Sequence, residues 1–244
     1  MKINVTARDI RRSNENKSRF TMEWLISRHF SPYFSVLFIK RGIRPNTITV
    51  FMILSGLIGA ILFAIPDIIC KVLGTVFIQL WFVFDLSDGE VARYTKQYSK
   101  YGTEMDYMAH VINHPFFIIA FALSFIQLYD VELYKLCILF MVFLVTEFWA
   151  RSTVSFYNKM AQEEKMNENP NAHKNRGKLR KIFSYIIGNL WAFPNYVLIF
   201  PFLYGVDVLC HTTYFLYLTA LYACFCILDN SRQIIRCLIR LYKI

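Results

Sequence analysis

The chain reads as an all-α, polytopic membrane protein: six transmembrane helices preceded by an interfacial amphipathic helix. Three observations predict it. Of 244 residues, 56% are hydrophobic and only 18% are charged, against about 25% charged in an ordinary soluble domain. The charges are unevenly spread and leave long uncharged stretches, each close to the roughly 20 apolar residues that a spanning helix needs. The basic residues also gather on alternate connections between those stretches.

The first apolar segment runs from about Thr47 to Ile65, where Pro66 and Asp67 end it. The second covers about Ile68 to Leu86 and flows into an acidic stretch, and the third spans about Met105 to Leu128. The fourth covers about Leu133 to Tyr157. The fifth extends from about Ile182 to Tyr204 with Pro194 and Pro201 inside it, and the sixth from about Val208 to Leu228. Residues from about Arg19 to Lys40 mix apolar side chains with Arg28, His29 and Lys40, broken by Pro32; such a segment suits a helix lying on the leaflet surface. The division is therefore residues 1–44, an N-terminal segment carrying this helix, and 45–244, a six-helix transmembrane domain. The connection from about Asn158 to Arg180 is polar throughout and is expected to be mobile. The N-terminal twenty residues have no apolar core, so no cleavable signal is expected. No internal repeat is apparent.

Orientation follows from the cations. Ten Lys or Arg precede residue 45, and Arg93, Lys96 and Lys100 lie between the second and third segments. Seven more follow the fourth segment, from Lys159 to Lys181, and Arg232, Arg236, Arg240 and Lys243 end the chain. Only Lys71 and Lys135 remain for the other side, with Asp67, Asp130, Glu132 and Asp207. The positive-inside rule then makes both termini cytoplasmic, which only an even number of spans allows. The net charge of +10 is accounted for by anionic headgroups. A nucleic-acid partner would need a basic face on a soluble module, and no such module is visible. Six cysteines show no metal-ligand spacing and read as small apolar fillers. The many aromatic residues are expected at lipid-facing and belt positions.

The chemistry gathers in FDLSDGEVARYTKQYSKYGTEMDYMAH. On a helix, Asp85 and Asp88 share a face, Ala92 lies one turn beyond Asp88, and Gly89 removes a side chain beside it. On the next helix Asp106 and His110 share a face, and a hairpin folded at Lys100 to Gly102 would join the two pairs. Carboxylates against WFVF, with no polar buffer, are expensive in a membrane and mark a functional site. An oxygen-rich cluster favours magnesium or manganese, and two such ions can clamp a transferring phosphoryl group.

This stretch resembles the signature of the CDP-alcohol phosphotransferases: Asp, two residues, Asp-Gly, two residues, Ala-Arg, eight residues, Gly, three residues, Asp, three residues, Asp. Asp85, Asp88, Gly89, Ala92, Arg93, Gly102 and Asp106 match seven of the eight fixed positions. Arg44 to Thr47, entering the first span, is also similar to family members. The resemblance implies a six-helix membrane enzyme of phospholipid biosynthesis. It would move a substituted phosphoryl group from a CDP-alcohol to a hydroxyl acceptor and release CMP. Asp85, Asp88 and Asp106 would ligate two divalent cations, Mg2+ or Mn2+. Gly89 and Ala92 would leave room for the nucleotide, and Arg93 would contact its phosphates. One substrate would be a lipid, with CDP-diacylglycerol the preferred donor. A homodimer is the expected assembly.

His110 stands where the family has its fourth Asp, the residue implied as general base and metal ligand. An imidazole can take a proton from a hydroxyl, but it brings no negative charge, which shifts preference from magnesium toward manganese. His114 extends the face, either as a further ligand for a softer metal or as a structural hydrogen-bonding residue. Glu147 and Arg151 are one helical turn apart: either they satisfy each other in lipid or they aim Arg151 at an acceptor phosphate. Two other classes stand beside the enzyme. One is a non-catalytic homologue that binds nucleotide or metal, or acts as an assembly partner; the other, a transporter, would place its charges at the membrane midplane instead.

Overall fold

The computed structural model describes residues 5–13, 27–128, 133–165 and 193–242. Among these, eight helices and no strand occur: α1 (Ala7–Ser13), α2 (Ser27–Lys40), α3 (Pro45–Ala64), α4 (Ile68–Thr95), α5 (Gly102–Leu128), α6 (Leu133–Lys165), α7 (Phe193–Cys210) and α8 (Tyr214–Tyr242). The all-α class expected from composition is the one observed. Five of the helices, α3 to α7, are long and apolar enough to cross a membrane. The 29-residue α8 takes the place of the sixth expected span. Of the expected surface helix, Ser27–Lys40 is helical, while 19–26 lie outside the described residues, as do the connection at 166–180 and the expected start of the fifth span.

Local chemistry sets the helix ends. Pro45 opens α3 at a position where its missing N–H costs nothing. Asp67 caps α4, its Oδ2 accepting from the Cys70 N–H at 2.9 Å, and that bond holds the exposed carboxyl below the usual Asp range. Gly42, at φ +66°, ends α2: Ile43 N–H donates to Phe38 O at 2.9 Å and Gly42 N–H to Ile39 O at 3.1 Å. That reversal leads into α3 within four residues. Lys96, left-handed at φ 56°, ends α4 just before the connection that carries the expected fold at Lys100 to Gly102.

One boundary differs from expectation. The turn between the last two spans falls at 211–213 rather than near Gly205, because the helix runs through Gly205 and stops at a left-handed His211. There Thr212 N–H donates to Asp207 O at 3.2 Å and its hydroxyl to Asp207 Oδ1 at 2.6 Å. Asp207, expected on the aqueous outer side, is buried.

α3, α4 and α5 form the central layer, with α2 laid against α4, α6 beside α8, and α7 against α4. Gln79 of α4 joins α7 through a 2.9 Å bond from Nε2 to the Leu198 carbonyl. α3 and α4 cross so closely that a Cβ on Gly74 would lie 2.6 Å from Phe63 N and 2.9 Å from Gly59 O. Small residues are what let two spanning helices approach this far. Aromatic side chains divide between roles. Phe30, Phe116, Phe148 and Trp149 face outward, whereas Phe63, Trp81, Phe117, Phe121 and Phe200 are fully buried. Phe121 and Phe200 stack at 4.0 Å, and Tyr196 and Tyr222 at 4.3 Å. Interhelix packing, beyond the lipid-facing role expected, therefore accounts for a large share of them.

At the end of the bundle away from the acidic stretch, Lys71 is buried. Its Nζ donates to Phe63 O at 2.9 Å, Gln127 Oε1 at 3.0 Å and Ser124 Oγ at 3.2 Å. Phe63 O belongs to the last turn of α3, where carbonyls lack intrahelical partners. Gln127 Nε2 donates to the next such carbonyl, Ala64 O, at 2.7 Å. One cation and one amide thus tie three helix ends together.

Candidate active site

α4 continues as a helix past the apolar run to Thr95, and α5 returns from Gly102. The hairpin brings Asp85 of α4 against Asp106 and His110 of α5. His110 Nε2 lies 3.4 Å from Asp85 Oδ1 and 3.6 Å from Asp106 Oδ1. One ligand atom from each of the three residues falls within 4.8 Å of the others, the spacing of a cation site. Asp106 Oδ1 and His110 Nδ1 are buried, with no hydrogen-bond partner among the described residues. Two carboxylates and an imidazole converging in this way suit a divalent cation that accepts mixed oxygen and nitrogen ligands.

Asp88 turns away from that triangle. Its Oδ2 accepts from the Thr49 hydroxyl of α3 at 2.7 Å, although it stays within electrostatic reach of Asp85 and Asp106. Gly89 opens space for the Arg93 side chain: a Cβ there would meet Arg93 Nη1 at 2.8 Å. Arg93 and Ala92 are half-buried on the same turn. Arg44 and Pro45 begin α3, and Asn46 Nδ2 donates to Ser99 Oγ at 3.2 Å in the α4–α5 connection.

His114 packs beside His110, their rings 5.3 Å apart and perpendicular, with Trp81 edge-on to both. Its nitrogens face elsewhere: Nδ1 is 3.4 Å from Glu147 Oε1, and Nε2 is 3.4 Å from Arg151 Nη2. A proton on Nδ1 satisfies both contacts, because the carboxylate can only accept and the guanidinium can only donate. With both nitrogens engaged, His114 stands outside the triangle formed by Asp85, Asp106 and His110. Glu147 also accepts from Arg151 Nε at 2.8 Å and from Asn230 Nδ2 at 3.2 Å. Arg151 therefore pairs with Glu147 and lies within electrostatic range of Asp106 and His110.

Several residues here are not singled out by the sequence reading. Thr49 fixes Asp88, and Asn113, one turn after His110, joins three helices. With its amide oriented to satisfy both neighbours, Asn113 accepts from Trp81 Nε1 at 2.9 Å and donates to Ile53 O at 3.2 Å. The available signals were an Asn on the face of Asp106 and His110, and a Thr one turn beyond Pro45. Glu90, a carboxylate inside the signature itself, is the third omission. It is buried, and accepts from Ser31 and Ser35 of α2 at 2.9 and 2.7 Å.

A family model described as CDP-alcohol phosphatidyltransferase matches residues 43–227. No curated protein matches the chain significantly. The match begins beside Arg44 and takes in the triangle, Asp88, Arg93 and the Glu147–Arg151 pair.

Proposed function

The chain belongs to the CDP-alcohol phosphatidyltransferase family, and from that premise we propose that it transfers a substituted phosphoryl group from a CDP-alcohol to a hydroxyl acceptor. The observation that carries the proposal is the convergence of Asp85, Asp106 and His110, with Asp88 close by. Asp85, Asp88, Asp106 and His110 are the residues that would hold two divalent cations, Mg2+ or Mn2+. Such ions neutralise charge on the donor's diphosphate. Arg93 reaches a phosphate oxygen of the donor, and Gly89 and Ala92 keep that turn low enough for the nucleotide to approach. The acceptor oxygen forms a bond to the phosphorus that bears the alcohol, the bridging P–O bond breaks, and CMP leaves with the electron pair. Ligation and proton transfer are alternative uses of the one free lone pair of His110: with Nε2 off the cations, it takes the acceptor's proton there, 3.4 Å from Asp85 Oδ1. Arg151, within electrostatic range of Asp106 and His110, would receive a charged group on the acceptor. Positioning and charge neutralisation are the usual basis of phosphoryl transfer.

The distribution of Lys and Arg supports a cytoplasmic face for the site and both termini. Five spanning-length helices support a lipid substrate entering sideways. CDP-diacylglycerol is the donor we favour, in phospholipid biosynthesis, with a homodimer as the working unit. A second reading, a homologue that binds nucleotide without turnover, rests on His110 in place of the fourth Asp. The test is CMP release by purified protein with Mn2+ or Mg2+ and a panel of CDP-alcohols and hydroxyl acceptors. Metal-dependent CMP release, abolished in Asp85→Ala and Asp106→Ala, is expected. Full turnover in either variant would overturn the site assignment, and no release from any donor would favour the binding homologue. For His110, equal wild-type rates in His110→Ala and His110→Asp would refute proton transfer.

A further inference from the structure

α2 and α4 meet through a seam of small polar residues. Ser27, Ser31 and Ser35 recur every four residues along α2, all fully buried, and so form one stripe on the helix. Across from them lie Ser87 and Glu90 of α4, also buried. Ser31 Oγ donates to Glu90 Oε1 at 2.9 Å, and Ser35 Oγ donates to Oε2 at 2.7 Å, so each carboxylate oxygen receives one hydroxyl. Ser87 Oγ donates to Val83 O within α4 at 2.7 Å and lies 3.3 Å from Ser31 O. Around this clamp, Phe38, Ile39, Ile48 and Val91 close an apolar cluster, to which Val5 and Ile10 from the α1 region contribute.

Two features make the clamp more than an anchor. A buried carboxylate is an expensive way to dock a helix that already has an apolar seam. Glu90 also lies between Gly89 and Ala92 on the turn bearing Arg93, and the guanidinium groups of Arg93 and Arg28 are within electrostatic reach of its carboxylate. Arg93 in turn lies over Gly89, where a Cβ would be 2.8 Å from Nη1. The hydroxyls of α2 therefore fix a carboxylate that sits one turn before the arginine of the signature, within its electrostatic reach.

We infer that Ser31, Ser35 and Glu90 are positioning residues for the nucleotide site: α2, through the carboxylate it clamps, sets the orientation of Arg93 toward the donor's phosphates. This rests on the reading of the site as a CDP-alcohol site. The opposite face of α2 exposes Phe30, Tyr33 and Leu37.

The probe is CDP itself, titrated by calorimetry into the full-length protein in nanodiscs with Mn2+ present. Glu90→Gln removes the charge, while rotatable serine hydroxyls can still bond the amide. Ser31→Ala/Ser35→Ala removes the clamp and leaves the seam volume nearly unchanged. Both are expected to weaken CDP binding by about tenfold, and to raise the donor KM more than they lower kcat. In an Arg93→Ala background the same changes are expected to add no further loss, since the group they orient is gone. A purely structural role predicts the same loss with and without Arg93, and that result overturns the inference. Unchanged CDP affinity in a folded Glu90→Gln protein overturns it as well. If the wild-type protein itself fails to bind CDP, the nucleotide reading falls and this inference with it.

Discussion

Replacing Gly74 with alanine tests whether the α3–α4 crossing governs the site, since the sign of its effect is set by two opposed quantities. In an open helix, glycine to alanine favours folding by roughly 1 kcal/mol through backbone entropy and propensity. At Gly74 the new Cβ would stand 2.6 Å from Phe63 N, 2.9 Å from Gly59 O and 3.0 Å from Phe63 Cα. All three are backbone atoms, so no rotamer change relieves the contact and the helices must separate by some ~0.8 Å, an overpacking cost of about 1–3 kcal/mol. The cost cancels or exceeds the gain, and a net loss of up to about 2 kcal/mol is expected. Gly205→Ala supplies the internal reference. It lies inside α7 with nothing within 4 Å of its Cβ, so propensity alone acts and stability should rise by a few tenths to about 1 kcal/mol. Thermal unfolding in one detergent, followed by tryptophan fluorescence and monodispersity, reads both. Because α4 also carries Asp85 and Asp88, Gly74→Ala should weaken Mn2+ binding, while Gly205→Ala should leave it unchanged. A Gly74→Ala protein as stable as Gly205→Ala would refute the reasoning.

Thr49→Val removes the 2.7 Å donor to Asp88 and should cost about 2 kcal/mol, the range for a hydrogen bond to a charged group. Thr49→Ser should recover most of that loss in the same unfolding assay. Glu147→Ala leaves Arg151, His114 and Asn230 without their shared acceptor. Losing one partner of such a buried pair typically costs about 3–5 kcal/mol, so the variant should purify aggregated or unfold far below Glu147→Gln; equal stability of the two would contradict the network. Asp67 gives a pH dependence of defined sign. Its carboxyl is lowered from 3.8 by the Cys70 N–H, so the cap's contribution is complete above that value and is lost as pH falls below it. Asp67→Asn should therefore flatten the acid limb of a stability–pH curve below about pH 4, with no difference in slope counting against the cap.

The sequence carries the spanning helices and the heart of the site for the same reason: both are local patterns. A stretch without charge is visible within twenty residues, and the spacings Asp85–Asp88 and Asp106–His110 are single helical turns. What supports those residues is not local. Thr49 reaches Asp88 across 39 positions, and Ser31 and Ser35 reach Glu90 across 59 and 55. Periodicity says which face a serine occupies but not which carboxylate lies opposite. His114 illustrates the same limit. Its place on the face of Asp106 and His110 is plain from the sequence, yet Glu147 and Arg151, brought from α6, decide where its nitrogens point. The turn at His211 was hidden because Gly205 is the stronger local signal, and tertiary packing carries the helix through it.

The buried ammonium at the far end of the bundle turns α4 into a lever. Lys71 fastens the starts of α4 and the ends of α3 and α5 at one point, and Asp85 lies fourteen residues further along α4, an arm of about 21 Å. About such a fulcrum, a tilt of only ~3° would carry the carboxylate roughly 1 Å, enough to open or close its 3.4 Å approach to His110. In such a tilt the end that carries the acidic residues would move furthest, and α2, clamped to Glu90, holds that free tip.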